Sequence, residues 1–525
     1  MKSTSARTMG AGLAGHVATL TFGIVLALLL VGLARVPAAG SPDFAAIDEY
    51  VKKQMDETRM PGVALGIVKG DKILHLKGFG EADDSGRAVT AQTPFIIGSM
   101  SKSFTALAIM QLVEDGKVEL DAPVKRYLPW FRVATPGASS RITVRNLLNQ
   151  TSGLSAKSDA HLLREGDGKS SLEKAVRSLS TVELDRPVGK GFEYANLNYT
   201  VLGMIVQSVS GESYERYVKD HILIPLDMRD SYMFVPEAEQ HGLATGHQYW
   251  FGWPFSGGGI AESRAGTPSG YISSTARDMS HYLIAQLNDG RYERAQILSP
   301  EGIAELHRGT ANMHGGSYYA MGWVESELGG VPIVWHDGDT GDFHATMILV
   351  PQRGWGVVVL MNGSNHLRIA GMDGIANGVV SLLLGRQPPP EPFEQAQALL
   401  FAVLAVVVLQ ILGIVWSVVL LRRWRTRPAR RPRGVIRIAL HIVPPLTLNL
   451  IWAFICLVAL PQFSQTTLRL MVLSDNGLVQ VLSGSVALLW GVILRPGLML
   501  RVFRKGGTPE ESGTPPRKSD ASARA

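Results

Sequence analysis

Three long apolar runs near the C-terminal end constrain the folding of this chain more than any other feature. They cover residues 396–421, 438–460 and 476–495. A helix rises about 1.5 Å per residue, so each run is long enough to cross a hydrocarbon core of about 30 Å. Too little polar sequence lies between the runs to cover them as core helices of a soluble domain. We therefore predict three transmembrane helices.

The distribution of arginine and lysine predicts how these helices are oriented. The connector at 422–437 contains eight arginines and no acidic residue. The tail at 497–525 is also basic, and its glycine, proline and serine content predicts disorder. Because positively charged segments stay on the cytoplasmic side of a membrane, we expect the connector and the tail in the cytoplasm. The region before the first run is then expected outside it.

The N-terminal 40 residues contain a further uncharged stretch, which follows Lys2 and Arg7. This pattern indicates either a cleaved signal peptide or a retained signal anchor, and both interpretations remain open. Residues 41–386 form the predicted outer domain, residues 387–395 a stiff proline-rich linker, and residues 396–496 the membrane region.

The charge and cysteine content exclude several classes of protein. The chain carries a formal net charge of +6, but the basic residues cluster beside the apolar runs and residues 36–421 are net negative. A nucleic-acid partner is therefore not expected. The only cysteine, Cys456, lies in a membrane run. The outer domain thus has no disulfide, no cysteine nucleophile and no cysteine-based metal site.

Hydrophobic periodicity in the outer domain predicts an α/β architecture. Runs with strand character occur at its beginning and its end, and helical patterns fill the middle. We expect the first and last strands to share one antiparallel sheet of five or more strands, flanked by helices, with an inserted helical region. The predicted strands are 63–68, 72–78, 331–336, 345–350 and 356–361, and the predicted helices are 41–57, 101–115, 143–148, 198–210, 214–224 and 274–287.

A candidate nucleophile and a candidate base occur where the second of these helices begins. Ser99 stands three residues before Lys102, so on a helix the two side chains share a face. The unpaired N–H groups at a helix start favour the negative charge that acyl transfer develops. The same pattern recurs at Ser171 and Lys174, but there we expect a polar, loop-like segment with no apolar helix behind it. The context therefore favours the first copy.

Tyr194 and Asn196 are candidate partners of this serine. They stand two residues apart, so both side chains can point into one cleft. A tyrosine shuttles protons if a neighbouring lysine lowers its pKa, and an asparagine hydrogen-bonds both a lysine and a substrate amide. The alternative is an ordinary loop tyrosine.

His336, Asp337 and Gly338 end a predicted strand and form a second candidate wall. A glycine at a strand edge lets a substrate approach the backbone. The N–H just beyond it, that of Asp339, would then join the Ser99 N–H as an oxyanion hole. The alternative is a strand-ending turn rich in aspartate and glycine.

Three motifs in this order, Ser-x-x-Lys, Tyr-x-Asn and His-x-Gly, resemble those of the serine β-lactamase and penicillin-binding protein superfamily. The closest branch contains class C β-lactamases, DD-carboxypeptidases and related esterases. The resemblance covers roughly residues 42–385 and implies a β-lactamase-like fold. Residues 147–154, 187–196 and 269–279 are also similar.

The resemblance implies a role for each candidate residue. Ser99 would attack an amide or ester and form an acyl-enzyme, while Lys102 and Tyr194 would take its proton and pass it to the leaving group. Asn196 would orient Lys102 and the substrate. His336, Gly338 and Asp339 would line the opposite wall of the substrate site. No metal or organic cofactor is needed, and the expected partners are a peptide or ester of the cell envelope and the lipid bilayer.

Two departures from the family pattern affect the expected substrate. Class C β-lactamases have lysine in place of His336, and most relatives have a hydroxyl residue in place of Asp337. We expect Asp337, Asp339 and Asp342 to crowd the wall that faces the serine. Two carboxylates ~4 Å apart repel by several kcal/mol at intermediate dielectric. Weak β-lactam hydrolysis is therefore expected, together with a preference for substrates without a carboxylate at that position.

A different class of function remains open beside the hydrolase. A sensor or scaffold would acylate slowly or not at all and signal through the three C-terminal helices. The chain offers only a short basic connector and a tail for such signalling. Transport through the helices has little support, because they contain almost no ionisable residue beyond His441.

Overall fold

The computed structural model describes most of the chain and leaves seven internal gaps and both ends outside. The predicted N-terminal signal segment, part of the linker and most of the predicted disordered tail lie outside the described residues. The described residues are 42–159, 171–250, 252–257, 264–364, 369–389, 393–432, 434–463 and 475–504.

An eight-stranded antiparallel sheet forms the centre of the outer domain. Its order is β2-β1-β14-β13-β12-β11-β10-β9. The first and last strands meet as predicted, since Val63 of β1 pairs with Met361 of β14. The strands are β1 Gly62–Lys69, β2 Lys72–Gly80, β3 Phe95–Ile96, β4 His247–Trp250, β5 Trp253–Ser256, β6 Ser273–Ser274, β7 Arg291–Tyr292, β8 Ala295–Gln296, β9 Ala311–His314, β10 Ser317–Tyr319, β11 Val324–Leu328, β12 Val331–Asp339, β13 His344–Val350, β14 Trp355–Met361 and β15 Gly363–Ser364.

Helices cover both faces of this sheet, which confirms the predicted fold class. Helices α1 and α11 pack on one face, and α2 and α9 on the other. The helices are α1 Phe44–Thr58, α2 Ser101–Glu114, α3 Val144–Leu148, α4 Ser171–Ser178, α5 Asn196–Ser210, α6 Tyr214–Val218, α7 Val235–Gln240, α8 Thr267–Gly270, α9 Ala276–Leu287, α10 Pro300–His307, α11 Ile369–Leu383, α12 Phe393–Thr426, α13 Val435–Phe454, α14 Leu460–Phe463, α15 Asp475–Val486 and α16 Arg495–Arg504.

Helix α2 lies at the centre of the domain because it is apolar on nearly all sides. Its residues from Ser101 to Met110 are buried, and Phe104 stacks on Tyr282 of α9 with ring centroids 4.2 Å apart. A 3₁₀ turn, Gly98–Met100, leads directly into this helix. The packing of α2 therefore holds the turn that carries Ser99.

Two local predictions about the outer domain are wrong. Strand β12 continues three residues beyond the predicted end, because Asp337–Asp339 keep pairing with Thr346–His344 of β13. Residues 171–178 form helix α4 rather than a loop, with Leu172 and Val176 buried. Ser171 is buried while Lys174 is exposed, so this second Ser-x-x-Lys copy does not bring its two side chains together.

Three helices in the C-terminal part are long and apolar enough to cross a membrane. They are Leu404–Thr426, Val435–Ala459 and Val479–Phe503, with mean hydropathies of 2.7, 2.1 and 1.7. The third helix extends past the predicted end at Arg495. The guanidinium of Arg495 donates to the Ser417 hydroxyl at 3.0 Å and to the His441 carbonyl at 3.0 Å. These bonds use two of the three guanidinium nitrogens, and the third, Nη1, is buried without a hydrogen-bond partner among the described residues.

Candidate active site

The side chains of Ser99, Lys102 and Tyr194 meet at one oxygen atom. The Ser99 Oγ lies 2.9 Å from the Lys102 Nζ and 2.8 Å from the Tyr194 hydroxyl. Ser99 and Lys102 are brought together by the turn and first residues of α2, whereas Tyr194 arrives from the segment before α5. Ser99 remains partly exposed. The geometry therefore offers an accessible hydroxyl with two proton-handling groups.

Lys102 is fully buried and surrounded by hydrogen-bond partners. Besides Ser99, its Nζ contacts the Asn196 Oδ1 at 2.6 Å and the Ser269 carbonyl oxygen at 2.7 Å. Burial lowers the pKa of Lys102, and the negative charges of Asp159 and Asp337 act in the opposite direction. Burial favours the uncharged amine, which is the form that accepts a proton.

Tyr194 does not have the lowered pKa that a proton shuttle was expected to need. Burial raises its pKa well above the ordinary value, and the nearby Tyr319 adds to this effect. Burial disfavours phenolate because its charge loses hydration. Tyr194 is therefore a neutral phenol that donates a hydrogen bond to Ser99.

Asn196 is the first residue of α5. It is held by Asp159, which was not among the site residues predicted from the sequence. Asp159 accepts hydrogen bonds from the Asn196 Nδ2 at 2.9 Å and from the backbone N–H of Asn196 at 3.0 Å. Ala195 at the N-cap position makes no side-chain cap. That apolar N-cap was the available signal, because a helix start without a Ser, Thr, Asp or Asn cap needs another acceptor.

His336 lies behind the cleft rather than directly on its wall. The ring is 2% exposed, and its Nε2 lies 3.3 Å from the Tyr319 hydroxyl. Burial and the nearby Lys102 lower the pKa of His336 to about 3, so the imidazole is neutral. The Tyr319 ring in turn meets Tyr194 edge-on at 6.2 Å. His336 thus supports the wall through Tyr319, which sequence analysis did not identify.

Gly338 and Gly98 allow β12 to pass directly beside the Ser99 turn. A Cβ on Gly338 would lie 2.0 Å from the Ile97 carbonyl oxygen and 2.8 Å from the Ser99 nitrogen. A Cβ on Gly98, whose φ is +53°, would lie 2.5 Å from the Asp339 nitrogen. Only glycine permits this approach. The backbone nitrogens of Ser99 and Asp339 therefore lie close to each other, and their joint role as an oxyanion hole stays a prediction.

The prediction that Asp337, Asp339 and Asp342 crowd the wall facing Ser99 is wrong for Asp339 and Asp342. The Asp342 carboxylate is 5% exposed and accepts the Thr340 hydroxyl at 3.1 Å. The Asp339 carboxylate accepts the Gly341 N–H at 2.9 Å and the Ser364 hydroxyl. Strand alternation turns Asp337 and Asp339 to the face opposite Gly338. Asp337 keeps 35% exposure, and burial and Asp373 raise its pKa.

The buried side chain of His344 lies beside two of the carboxylates, those of Asp339 and Asp373, and its positive charge compensates theirs. His344 was not among the site residues predicted from the sequence. His344 is fully buried, with its Nε2 2.9 Å from the Asp373 Oδ1 and its Nδ1 3.6 Å from the Asp339 Oδ2. Burial alone would lower the pKa of His344, but the two carboxylates outweigh it and raise the pKa to about 10. Among the described residues, no group of three or more His, Cys, Asp and Glu side chains is arranged to hold a metal ion.

Comparison with known protein families decides the identity of this domain. The family described as Beta-lactamase matches residues 47–377, which include Ser99, Lys102, Tyr194, Asn196, His336, Gly338 and Asp339. The chain belongs to the Beta-lactamase family. The match ends before the three C-terminal helices. Membership supports a serine hydrolase-type function for the domain.

Individual relatives of this Beta-lactamase family member include penicillin-binding proteins. Penicillin-binding protein 4 of Amycolatopsis lactamdurans is 30% identical over 331 residues, which is 61% of this chain and 86% of the relative. Protein flp of Staphylococcus aureus is 30% identical over 322 residues, or 60% of this chain. The chain spans 62% of the length of that relative. The octameric penicillin-binding protein homologue from Pyrococcus abyssi has a similar structure, with a TM-score of 0.56, 29% identity and coverage of 67% of this chain and 79% of its own.

Proposed function

We propose that this protein is a membrane-anchored serine hydrolase that cleaves an amide or ester of the cell envelope through an acyl-enzyme on Ser99. The observation that carries the proposal is the position of the Ser99 Oγ, 2.9 Å from the Lys102 Nζ and 2.8 Å from the Tyr194 hydroxyl. A serine hydroxyl is a weak nucleophile until a neighbouring base accepts its proton. Lys102, whose pKa is lowered by burial, is that base.

Acylation begins when the Ser99 Oγ attacks the substrate carbonyl carbon. As the new C–O bond forms, the Ser99 proton moves to the Lys102 amine, and negative charge develops on the carbonyl oxygen. The N–H groups of Ser99 and Asp339 stabilise that charge as an oxyanion hole. The positive end of the helix dipole of α2 adds to this stabilisation.

The tetrahedral intermediate collapses when the bond to the leaving group breaks. The Tyr194 hydroxyl donates its proton to the departing nitrogen or oxygen and regains one from the Lys102 ammonium. The tyrosine therefore never persists as phenolate, consistent with the raised pKa of its buried ring. A water molecule then attacks the acyl carbonyl with Lys102 as base, which releases the acid and restores Ser99.

We base the expected substrate class on Asp337, whose side chain is 35% exposed and whose negative charge acts on Lys102. Its charge disfavours a substrate carboxylate at this position, while esters and internal amides carry none. We propose that such neutral acyl compounds are the substrates and that β-lactams are hydrolysed weakly.

The three apolar helices and the arginine-rich connector at 422–437 support an extracytoplasmic position for the domain. With the connector and tail in the cytoplasm, the hydrolase domain lies outside it. An envelope substrate is then accessible to Ser99.

Labelling with a fluorophosphonate probe tests the proposal, because this probe phosphonylates an activated serine. We expect the full-length protein to be labelled and Ser99→Ala to remain unlabelled. Ser171→Ala, at the second copy of the motif, is the matched control and should label like the wild type. Absence of labelling at Ser99 in the wild type would favour a sensor or scaffold that signals through the C-terminal helices.

A further inference from the structure

The carboxylate of Asp159 collects three hydrogen bonds at the start of α5. Its Oδ2 accepts from the backbone N–H and the Nδ2 of Asn196, at 3.0 and 2.9 Å. Its Oδ1 accepts from the backbone N–H of Leu197 at 3.1 Å. Asp159 therefore fills the place that the Ala195 side chain leaves empty, and it reaches the Asn196 side chain at the same time.

These contacts determine which end of the Asn196 amide faces Lys102. Burial raises the pKa of Asp159 to about 6. Above that pH the group is a carboxylate that only accepts hydrogen bonds, so the NH₂ end of the amide must face Asp159. The carbonyl end is then turned to Lys102, where Oδ1 lies 2.6 Å from Nζ. The orientation of the amide thus follows from the chemistry of Asp159.

The orientation of Asn196 in turn determines where the lone pair of Lys102 points. A neutral amine has two hydrogens and one lone pair. Two of its three neighbours, the Asn196 Oδ1 and the Ser269 carbonyl oxygen at 2.7 Å, only accept hydrogen bonds. Both hydrogens are used by these neighbours. The third neighbour, the Ser99 hydroxyl at 2.9 Å, then receives the lone pair.

We propose that Asp159 is a positioning residue for acylation: by holding the Asn196 amide in one orientation, it aims the Lys102 lone pair at the Ser99 proton. This inference rests on the proposed function of Ser99. Without the carboxylate, the amide is free to rotate by 180° and present its NH₂ group to Lys102. That NH₂ group competes with Ser99 for the lone pair.

The charge of Asp159 should also affect how the rate of acylation depends on pH. Around Lys102, the carboxylates of Asp159 and Asp337 both raise its pKa against the effect of burial. The rings of Tyr194 and Tyr199, 4.8 and 5.8 Å from Nζ, are neutral phenols, and His336 is neutral. Removing the charge of Asp159 therefore lowers the pKa of Lys102. The acid limb of the pH profile, which is the range in which the acylation rate falls as Lys102 becomes protonated, therefore moves to lower pH in a variant without this charge.

The test measures the rate of fluorophosphonate labelling of the full-length protein in detergent against pH. Asp159→Asn should lower the plateau rate at least ~10-fold, since general bases contribute about 10²–10⁴-fold, and should move the acid limb to lower pH. Asp185→Asn is the matched control, because this carboxylate binds Ser155 and Lys157 in the same part of the domain. It should leave the plateau and the limb unchanged.

A double variant distinguishes hydrogen-bond direction from general loss of structure. In Asp159→Asn/Asn196→Asp the carboxylate and the amide exchange places, so Lys102 again meets only acceptors. Labelling at alkaline pH should recover to several-fold above Asp159→Asn, with the acid limb at higher pH because the carboxylate now touches Lys102. If Asp159→Asn is too unstable to label, the double variant is compared with Asn196→Asp alone.

Three results would overturn the inference. In the first, Asp159→Asn labels at the wild-type rate and its acid limb does not move. In the second, the plateau rate of Asp159→Asn falls but its acid limb does not move. In the third, the double variant labels no faster than either single variant. A wild type that is not labelled at Ser99 would instead overturn the proposed function, and this inference with it.

Discussion

The Tyr194 hydroxyl donates a 2.8 Å hydrogen bond to the Ser99 Oγ while burial raises the pKa of the phenol. The same Oγ lies 2.9 Å from the Lys102 Nζ, and burial lowers the pKa of that amine. The same buried environment thus raises the pKa of Tyr194 and lowers that of Lys102, because burial favours the neutral form of each group. In the proposed mechanism the lysine is therefore the base and the tyrosine the donor.

Replacing Tyr194 by phenylalanine should slow acylation of Ser99. The variant loses the proton donor for the leaving group, and general acids contribute about 10²–10⁴-fold. We expect kcat for an amide substrate, whose nitrogen must be protonated before it leaves, to fall at least ~100-fold. Tyr318→Phe, at a tyrosine that is 41% exposed, is the control. A kcat within twofold of the wild type would contradict the role of Tyr194.

Gly338→Ala should strongly reduce activity by moving β12 away from the Ser99 turn. The added Cβ would meet the Ile97 carbonyl oxygen at 2.0 Å, so the backbone must shift. A displacement of about 1 Å at a reacting site costs on the order of 100-fold in kcat/KM. Gly330→Ala, in open surroundings at a φ of +77°, controls for the general effect of losing a glycine. It should cost about 1 kcal/mol of stability and leave kcat/KM unchanged.

Asp337→Asn should widen the substrate range toward carboxylates. The wild-type side chain is 35% exposed, and in the proposed function its charge disfavours a substrate carboxylate. The measurement is the ratio of kcat/KM for nitrocefin, which carries a carboxylate, to kcat/KM for a neutral p-nitrophenyl ester. We expect the ratio to rise about 10-fold, since 1.4 kcal/mol of removed repulsion corresponds to that factor. Asp71→Asn, on the exposed turn between β1 and β2, should leave it unchanged.

His344→Gln should destabilise the outer domain in a pH-dependent way. Removing one partner of a buried ion pair costs about 3–5 kcal/mol. The pKa of His344 is raised to about 10, above the unfolded value of 6.5. Its contribution is therefore fully present below about pH 6.5, declines as the pH rises and is lost by about pH 10. The free energies of unfolding of wild type and variant should converge over that range.

His221→Gln is the matched control for this experiment. His221 also pairs with a carboxylate, the Glu212 Oε1 at 3.2 Å, but the two side chains are 46% and 31% exposed. Exposed pairs contribute about 0–1 kcal/mol. A loss of stability in His344→Gln that is no larger than that of His221→Gln would show that the buried imidazolium is unimportant.

Cysteine labelling tests the proposed orientation in the membrane. The only native cysteine is Cys456, so Cys456→Ser provides a cysteine-free background. In intact cells a membrane-impermeant maleimide should label Ser140→Cys, on an exposed part of the outer domain. Thr426→Cys, at the end of α12 beside the arginine-rich connector, should react only after the membrane is permeabilised. The reverse pattern would place the hydrolase domain in the cytoplasm.

Local sequence patterns predicted much of the fold and the meeting of the motifs. The continuous apolar runs of β1, β13 and β14, which are buried on both faces, and the apolar character of α2 appear directly in the residues. Helix α4 was missed because its apolar stripe, Leu172 and Val176, is short. The extension of β12 was missed because its last residues, Asp337–Asp339, have no strand propensity and are held by pairing with β13.

The sequence by itself determined the class of protein, the order of the three motifs and the position of Ser99 before a buried helix, because these depend on residue type and spacing. Only the tertiary structure decided which groups are charged and which way their hydrogen bonds run. Asp159, Ser269, Tyr319 and His344 act on the site from distant parts of the chain. Burial and the nearest partner set protonation, and both arise only when the chain is folded.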